Sequence, residues 1–591
     1  MSANGKARRV LGAAALLVTF GLAVTGCTAG GSPAPAGNNT GDAGTPRSGG
    51  DLKVLLEASF AGNWQTGLDP ATSNSVSANL PQYTSTFGGL FQLNADKDGK
   101  NARVEANQAE SSSYSKDGLV FTLKLRKGIT FSDGSPLNAD AVLWNWIRDL
   151  SSGSTGVPNL VLNRTLTPAK ISDQLRTSII SALPADYDKV AVEQLFGAIR
   201  VVDDLTIEIH FAAVNGAFVN GLPGMSLNWM ASPTGYAKLG AQKFKEEPIG
   251  AGPFIIVSDT MSQKLSLKRN PHYFKPKLPY LDTLSFQAVA GDQVSYQTLQ
   301  AGQAGAIEGL GSVPLITQAQ HDPKLNVVID PPTSPYVVQL NTRIAPFNDE
   351  RAREAIYYAT DYDPINKGLF KGQGDPSQSF TASGGLFYNP KVPNYRTYDL
   401  AKAKALVKEI GGLTVKLDAI NSPVAIAFVQ ALQTQWTKAG INVSLRTQAL
   451  GDTITTFKSG QWTAYLQTAG AFDPATGIGV TARFGSLSPY SGAPLPKGAT
   501  SAADAKKRGL TTKLDDVLNQ AQATVDPSKR DTLYKEAAQI ISDNAYGPFG
   551  FAFSPAQVVR KGVHGPGLTT PIPGLAVRSG VLYDQVWVAP E

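Results

Sequence analysis

The chain has 591 residues, with 53 basic and 47 acidic side chains and a formal net charge of +6. Hydrophobic residues make up 42% and charged residues 17%, so the chain is too apolar to be disordered throughout and long enough for several domains. The single cysteine excludes a disulfide framework and any multi-cysteine metal site. The small basic excess is scattered, which argues against a nucleic-acid partner.

The N-terminus reads as an export signal. Lys6, Arg8 and Arg9 precede an apolar run over residues 10–24 that is short for a membrane-spanning helix of about 20 residues. The run ends in VTGC, which resembles a bacterial lipobox and predicts that residues 1–26 are removed and that Cys27 is lipidated. The alternative is an uncleaved N-terminal anchor with an incidental cysteine.

Residues 28–50 consist almost wholly of Gly, Ser, Pro, Ala, Thr and Asn. Such a composition buries too little apolar surface to order itself. We therefore expect residues 27–50 to form a lipidated cysteine and a flexible tether that holds the body at the membrane.

Alternating apolar and polar residues predict two half-buried strands, over residues 121–125 and 205–211. The second alternation places His210 on the polar face beside Glu208, so a solvated histidine is favoured over a ligand or a catalytic group. The chain's three other histidines are far from it and from one another in sequence, which makes a zinc enzyme a poor hypothesis.

Helical spacing is clear after Asn138, where Leu143, Trp146, Ile147 and Leu150 share one face. A second helix is expected near residues 352–359 with Asn348 as its cap. Further helices are predicted over residues 403–410, 424–439, 514–521 and 527–541, the last capped by Asp526. Together with a strand that begins at Ile441, these helices indicate an α/β fold.

Gly, Pro and Ser concentrate in four stretches that predict loops, over residues 151–168, 331–335, 371–397 and 474–505. Within the last of them, residues 477–503 are expected to form a surface excursion or a lid.

Familiar catalytic signatures are missing from the sequence. It has no G-x-S-x-G, no phosphate-binding G-x-x-x-x-G-K-[ST] and no H-E-x-x-H. The Gly250–Ala251–Gly252 stretch lacks the third glycine of a dinucleotide fingerprint and is expected to be a turn. An enzyme, a cofactor and a metal are therefore not expected.

Residues 125–142, LRKGITFSDGSPLNADAV, resemble the signature of bacterial extracellular solute-binding proteins of family 5, the peptide, nickel and opine receptors of ABC importers. Three more stretches agree with that family: PIGAGPF at 248–254, KRNPHYF at 268–274 and PFNDERAREAI at 346–356. Tyr398–Ala403 also resembles the start of a later family helix. The resemblance spans essentially the whole body from Asp51 onward.

The resemblance implies a type II periplasmic-binding-protein fold of class α/β, with two lobes, an extra subdomain and a hinge. The implied boundaries are 51–90, 245–332 and 556–591 for lobe I, 91–244 for its extra subdomain and 333–555 for lobe II. The chain would cross between lobes near Pro331–Pro332 and near Ser554–Pro555, where proline limits bending to few residues. The ligand would bind between the lobes.

In such receptors the lobe II loop before an acidic residue and a proline lines the pocket, and here this stretch reads YLQTAGAFDP over residues 465–474. Family members that bind peptides commonly have an aspartate, which pairs with the peptide ammonium, about where this chain has Gly470. The nickel-type pattern is also broken, because Ala475 follows Asp473–Pro474. Asp473 could supply a substitute charge or simply form an Asp-Pro turn.

The remaining candidates come from turns that would face the cleft. In lobe I they are Asn63, Trp64, Leu68 and Asp69, and in lobe II they are Gln373, Ser383, Gly470, Ala471, Phe472 and Asp473. Trp462 and Tyr465 are either pocket aromatics or core residues, with core packing favoured.

The function implied is that of a membrane-anchored substrate-binding lipoprotein that captures oligopeptides or peptide-like solutes on the extracytoplasmic face and delivers them to ABC permease subunits. A monomer without cofactor, metal or nucleic acid is expected. Two alternatives remain: a ligand-sensing or scaffolding envelope lipoprotein with the same fold, and a cell-surface hydrolase.

Overall fold

The computed structural model describes residues 44–58, 64, 66–73, 76, 79–96, 99, 102–152, 160–470, 476–524, 526–573 and 580–589. The predicted signal peptide, Cys27 and most of the tether lie outside the described residues.

The strands are β1 (Asp51–Glu57), β2 (Phe91–Ala95), β3 (Ala102–Ala106), β4 (Ala109–Tyr114), β5 (Val120–Leu125), β6 (Ile199–Asp203), β7 (Thr206–His210), β8 (Phe254–Thr260), β9 (Lys264–Arg269), β10 (Thr283–Val289), β11 (Ala306–Leu310), β12 (Leu325–Ile329), β13 (Pro335–Leu340), β14 (Asp375–Pro376), β15 (Leu413–Ile420), β16 (Ile441–Gln448), β17 (Ala464–Thr468), β18 (Phe549–Ala552), β19 (Ala556–Arg560), β20 (Val563–His564) and β21 (Trp587–Val588).

The helices are α1 (Leu80–Thr86), α2 (Ala139–Ser151), α3 (Asp173–Ser181), α4 (Lys189–Ala198), α5 (Phe218–Gly221), α6 (Pro233–Glu246), α7 (Asp292–Gln300), α8 (Val313–His321), α9 (Glu350–Ala359), α10 (Tyr362–Phe370), α11 (Leu400–Glu409), α12 (Pro423–Lys438), α13 (Leu450–Ser459), α14 (Thr476–Phe484), α15 (Ala502–Arg508), α16 (Lys513–Ala523) and α17 (Pro527–Asp543).

Sheet I contains seven strands in the order β12-β19-β11-β1-β10-β9-β8. Its central strand β1 runs parallel to both β10 and β11, whereas the outer pairs are antiparallel. Leu52, Val54 and Leu56 of β1 pack into the largest hydrophobic cluster, and Leu55 packs into a second cluster on the other face. The central strand of sheet I is therefore buried on both faces, as expected for a strand in a parallel arrangement.

Sheet II contains six strands in the order β14-β18-β13-β17-β15-β16. Here β15 runs parallel to β16 and β17, while β13 pairs antiparallel with β17 and β18. Helices α9 and α12 contribute Ile356, Phe428 and Trp436 to the cluster that covers one face. Each large sheet thus has its own hydrophobic core.

The chain passes between the two sheets twice. Strand β12 ends at Ile329 in sheet I and β13 begins at Pro335 in sheet II. Strand β18 ends at Ala552 in sheet II and β19 begins at Ala556 in sheet I. These passages include Pro331–Pro332 and Ser554–Pro555, where the family resemblance implies that the chain crosses between lobes. That they bend as a hinge, and the exact lobe boundaries, stay predictions.

A smaller four-stranded antiparallel sheet, β4-β5-β7-β6, packs against α2. Helix α2 begins as predicted, because the Asn138 side chain accepts a hydrogen bond of 3.0 Å from the Ala141 amide. The Trp146 indole donates to the Leu227 carbonyl at 2.8 Å, so this buried aromatic also anchors a distant loop.

Two local predictions are wrong. The cap of α9 is Asp349 rather than Asn348, because Asp349 has an extended backbone and its carboxylate accepts a hydrogen bond from the Arg351 amide at 2.9 Å. The segment expected to be a surface excursion or lid contains helix α14, whose Val480 and Phe484 are buried in a hydrophobic cluster. Buried apolar contacts outweigh the low helix propensity of its glycines.

Candidate functional site

Loops that follow the parallel strands of both sheets define the candidate site. In open α/β sheets, ligands bind beyond the carboxyl ends of the strands, where successive loops meet. In sheet I the loop after β1 begins at Ala58 and carries the predicted Trp64 and Asp69. In sheet II the loop after β17 begins at Ala469 and carries Gly470. Of the predicted site residues that the structure describes, Trp64, Asp69 and Gly470 lie on these two loops.

Trp64 is held in place by an acidic side chain of sheet I. Its side chain is buried, and its indole nitrogen donates to Asp259 Oδ1 at 2.9 Å. Burial raises the pKa of the Asp259 carboxyl to about 6, although the hydrogen bond from Trp64 acts in the opposite direction. The tryptophan therefore anchors the loop after β1 to strand β8.

Asp69 is buried in an internal ion pair. Arg148 on α2 donates to Asp69 Oδ1 at 2.7 Å and also bonds Asp69 Oδ2. The guanidinium lies over the Tyr236 ring, 4.3 Å from its centroid. Burial raises the pKa of the neighbouring Asp149 carboxyl well above its usual range. Both carboxylate oxygens of Asp69 are bonded to Arg148, which does not favour a direct contact with a ligand. That predicted contact stays a prediction.

Gln373 and Ser383 lie on the loop that leads into and out of β14. Both side chains are exposed, and the Ser383 amide donates to Asp375 Oδ2 at 2.9 Å. The same loop contacts the first passage between the sheets, because the Ala382 amide donates to the Thr333 carbonyl at 2.9 Å. These two residues therefore lie on a segment fixed to the interlobe passage, and their ligand contacts stay predictions.

Trp462 and Tyr465 are buried together with Phe457 in an aromatic cluster on sheet II. The Phe457 ring centroid lies 5.0 Å from that of Trp462 and 4.8 Å from that of Tyr465. The Tyr465 hydroxyl is 2.7 Å from Thr453 Oγ1. Burial raises the pKa of Tyr465 to about 12. This arrangement agrees with the favoured core interpretation, while a role at the ligand stays untested.

Gly470 has a positive φ of 76°, a backbone conformation that residues other than glycine adopt only with strain. Its amide donates to Ser334 Oγ at 3.0 Å, which ties the loop after β17 to the first passage between the sheets. Asn63, Ala471, Phe472 and Asp473 lie outside the described residues, so their predicted roles are neither supported nor opposed.

Sequence reasoning missed one charged group beside this loop, Arg483 at the end of α14. It is half-buried, and among the described residues no carboxylate forms an ion pair with it. Burial lowers the pKa of its guanidinium to about 10, which still leaves it charged at neutral pH. No sequence pattern marked it, because the helix that carries it was predicted as a loop.

Two buried amides at the start of α1 were also missed. Asn79 and Gln82 are fully buried and one helical turn apart, and neither amide oxygen nor nitrogen has a hydrogen-bond partner within the described part of the chain. An unpaired buried amide costs about 1–3 kcal/mol, so such groups mark a place where polar atoms are expected to bind. They follow the loop that carries Trp64 and Asp69.

A cavity of about 620 Å³ lies elsewhere, along β2, β3 and the residues after β9, and its lining includes Gln92, Arg126 and Lys275. None of the predicted site residues lines it. Across the described ranges, no cluster of three or more His, Cys, Asp and Glu side chains could hold a metal ion. In that same part of the chain, no helix has the length and apolar character needed to cross a bilayer.

Residues 103–487, more than half of the chain, match the model of bacterial extracellular solute-binding proteins, family 5 Middle. The chain belongs to this family. Its members are solute-binding receptors rather than enzymes. Among curated relatives, the glutathione-binding protein GsiB of Pectobacterium atrosepticum is 27% identical over 485 residues, which cover 80% of this chain and 84% of the relative.

Solved structures of family members share the fold. The periplasmic binding protein DppA from Helicobacter pylori, in complex with the peptide STSA, matches with a TM-score of 0.70 at 20% identity, over 92% of this chain and 99% of that one. The binding protein AgaA from A. tumefacien R10, in complex with agropinic acid, matches with a TM-score of 0.71 at 19% identity, with the same coverage. The chain therefore has the type II periplasmic-binding-protein fold predicted from the sequence.

Proposed function

We propose that the protein is a membrane-anchored substrate-binding lipoprotein of an ABC importer that captures oligopeptides or peptide-like solutes. The observation that carries the proposal is the family match over residues 103–487. The relative named above binds glutathione, and the two solved structures hold a tetrapeptide and an opine. The shared chemistry of these ligands is a small, polar molecule built from amino acids.

The arrangement of the two sheets supports capture between lobes. Loops at the carboxyl ends of β1 and β17 come from different sheets, and residues 330–334 and 553–555 connect those sheets. A ligand that contacts both loops binds the closed arrangement more tightly than the open one, so its binding shifts the population toward closure. Closure is then the signal that a permease reads.

The ligand contacts belong to this proposal. Gln373, Ser383 and the loop that contains Gly470 would form the lobe II wall, and the loop after β1 would form the lobe I wall. Asp69 acts indirectly, since its bond to Arg148 fixes the path of that loop. Asn79 and Gln82 offer the buried donors and acceptors that a peptide backbone requires.

Location and delivery also belong to the proposal. Cys27 would carry the lipid, and two or three acyl chains hold a protein on a membrane firmly where one does not. The body would then lie on the extracytoplasmic face beside its permease subunits. Family membership supports that location, since the family is described as extracellular.

Uptake by cells tests the proposed function. A strain that lacks the gene should lose uptake of labelled di- to pentapeptides, and the wild-type gene should restore it. The Cys27→Ser variant should be exported but not lipidated, because its oxygen cannot form the thioether, and it should restore uptake poorly. If deletion leaves uptake unchanged while the purified protein still binds peptides, the protein is a ligand sensor and import is refuted.

A further inference from the structure

Arg483 lies directly against Gly470, the second residue after β17. A Cβ atom added to Gly470 would lie 3.2 Å from Arg483 Cγ and 3.4 Å from Arg483 Nε. The arginine side chain therefore occupies the space beside the glycine that a side chain would otherwise fill. This contact places a guanidinium at the carboxyl edge of sheet II, within the candidate site.

Two other arginines of this lobe, Arg446 and Arg343, have guanidinium groups bonded to a carboxylate or to carbonyls, and Arg483 does not. Arg446 makes two hydrogen bonds, of 2.8 and 2.7 Å, to the carboxylate of Asp418. Arg343 donates to the carbonyls of Ala493 at 2.8 Å and Ser486 at 2.7 Å. Across the described residues, the Arg483 guanidinium has no such carboxylate or carbonyl partner.

In the described part of the chain, the surroundings of Arg483 are aromatic rather than acidic. The electrostatic neighbours of its guanidinium are the phenols of Tyr465 and Tyr490. Phe457 packs against both of these rings. Burial among such groups removes water from the cation and lowers its pKa to about 10. A partly desolvated cation without an anion is unfavourable, which prepares it for an anionic ligand group.

We propose that Arg483 is the anion-binding group of the cleft and that it receives one carboxylate of the ligand. This inference rests on the proposed function and adds the ligand's charge to it. A guanidinium binds a carboxylate through two parallel hydrogen bonds, which fixes orientation as well as charge. The carboxylate comes from a peptide terminus, an acidic side chain or a non-peptide acid.

The local charge favours a carboxylate over a phosphate. A phosphate monoester carries a charge of about −1.5 to −2 and three strong acceptor oxygens, so it is normally met by several cations. Arg446 is already paired with Asp418, which leaves the single charge of Arg483 beside Gly470. A cation that has no acidic partner among the described residues matches a single carboxylate.

The inference also depends on residue 470 being a glycine, which has no side chain. An aspartate at this position would set a carboxylate against Arg483 and neutralise it. The Gly470→Asp variant should therefore lose its preference for acidic ligands. Gly470→Asn is the matched control, because asparagine has the same shape and tolerates positive φ equally well but carries no charge.

The experiment compares three probe sets by isothermal titration calorimetry. They are alanine peptides of two to five residues with a free C-terminal carboxylate, the same peptides as C-terminal amides, and N-carboxyalkyl amino acids as non-peptide acids. Wild type should bind the free acids about tenfold or more tightly than the amides, as expected for a charged hydrogen bond. The ratio should approach one in Arg483→Gln and Gly470→Asp.

Two controls isolate the site. Arg508→Gln removes an exposed charge of the same lobe, and it should keep the wild-type ratio. Gly470→Asn should retain more of the free-acid preference than Gly470→Asp, because the two variants differ only in the added charge. Thermal unfolding checks folding, and unliganded Arg483→Gln should be at least as stable as wild type, because an unpaired, partly desolvated cation has been removed.

The outcomes separate this inference from the proposed function. If peptides bind but acids and amides bind equally, or the preference survives in Arg483→Gln, the Arg483 site is wrong and peptide capture stands. If only the non-peptide acids bind, and with dependence on Arg483, peptide capture is wrong and the anion site stands. If none of the three probe sets binds wild type, both are wrong.

Discussion

At the scale of single residues, Asp259, which accepts the hydrogen bond from Trp64 in the loop after β1, makes the stability of the folded protein depend on pH. Burial raises the pKa of Asp259 to about 6 from its ordinary value of 3.8, and the nearby Glu246 and Glu247 raise it further, whereas the bond from Trp64 lowers it. The folded protein therefore binds a proton more tightly than the unfolded chain does. This contribution to stability is complete below pH 3.8 and is lost as the pH rises through about 6.

The Asp259→Asn variant should therefore have a higher melting temperature than wild type at pH 8, and the difference should disappear near pH 4. Trp64→Phe removes the bond that lowers the pKa of Asp259, so the pH-dependent loss of stability should continue to a higher pH than in wild type. Melting temperatures of the three proteins measured from pH 4 to 8 test this. A difference that does not change with pH would contradict the assignment.

The buried pair of Asp69 and Arg148 gives a second prediction at this scale. Both side chains are almost fully buried, with 1% and 4% of their side-chain surface exposed. Asp69→Leu leaves Arg148 uncompensated, so the free energy of unfolding should fall by about 3–5 kcal/mol. The double variant Asp69→Leu, Arg148→Met removes both charges and should be clearly more stable than Asp69→Leu in urea titrations. The pair would not be coupled if the double variant were as unstable as Asp69→Leu, or if its loss of unfolding free energy equalled the sum of the two single losses.

At the scale of elements, capping hydrogen bonds at helix N-termini make a measurable contribution to the free energy of unfolding. The Asn138 cap bonds the Ala141 amide at the start of α2, whose tryptophans Trp144 and Trp146 are fully buried. Asn138→Ala should lower the free energy of unfolding by about 1 kcal/mol, while Asn138→Ser, which can still accept the bond, should lose less. Urea unfolding of both variants measures this, and an alanine variant as stable as wild type would refute the capping role.

The same elements show what sequence patterns can and cannot predict. The periodicity after Asn138 and the pattern Asp526–Pro527 each predict a helix, and α2 and α17 begin there, because capping is a local interaction. Helix α14 was missed, since its glycines suggest a loop and its stability comes from burial of Val480 and Phe484 against distant residues. Tertiary contacts of this kind leave no local pattern.

The candidate site was predictable to the level of its loops. Family resemblance led to Trp64 and Gly470, and both lie on loops at the carboxyl ends of strands. Arg483 could not be found in this way, because its contact with Gly470 joins residues thirteen positions apart through a helix that the sequence did not predict. The pairing of Asp69 with Arg148 joins residues 79 positions apart, which no local spacing reveals.

At the scale of the whole molecule, two short passages join the two sheets. We propose that these passages bend as a hinge, so that the lobes approach one another around a ligand. We expect the radius of gyration to decrease when a saturating peptide is added, because closure reduces the separation of the lobes. Small-angle X-ray scattering with and without peptide measures this change. An unchanged radius of gyration at demonstrated saturation would contradict closure as the signal to a permease.

The central claim is that one chain captures one intact, peptide-like solute and does not transform it. Native mass spectrometry of the purified protein, incubated with a pool of di- to pentapeptides, tests it most directly. We predict a complex of one chain with one ligand, whose released mass equals that of an intact member of the pool. No added mass, or release of cleaved fragments only, would contradict capture and would favour a different role for this fold.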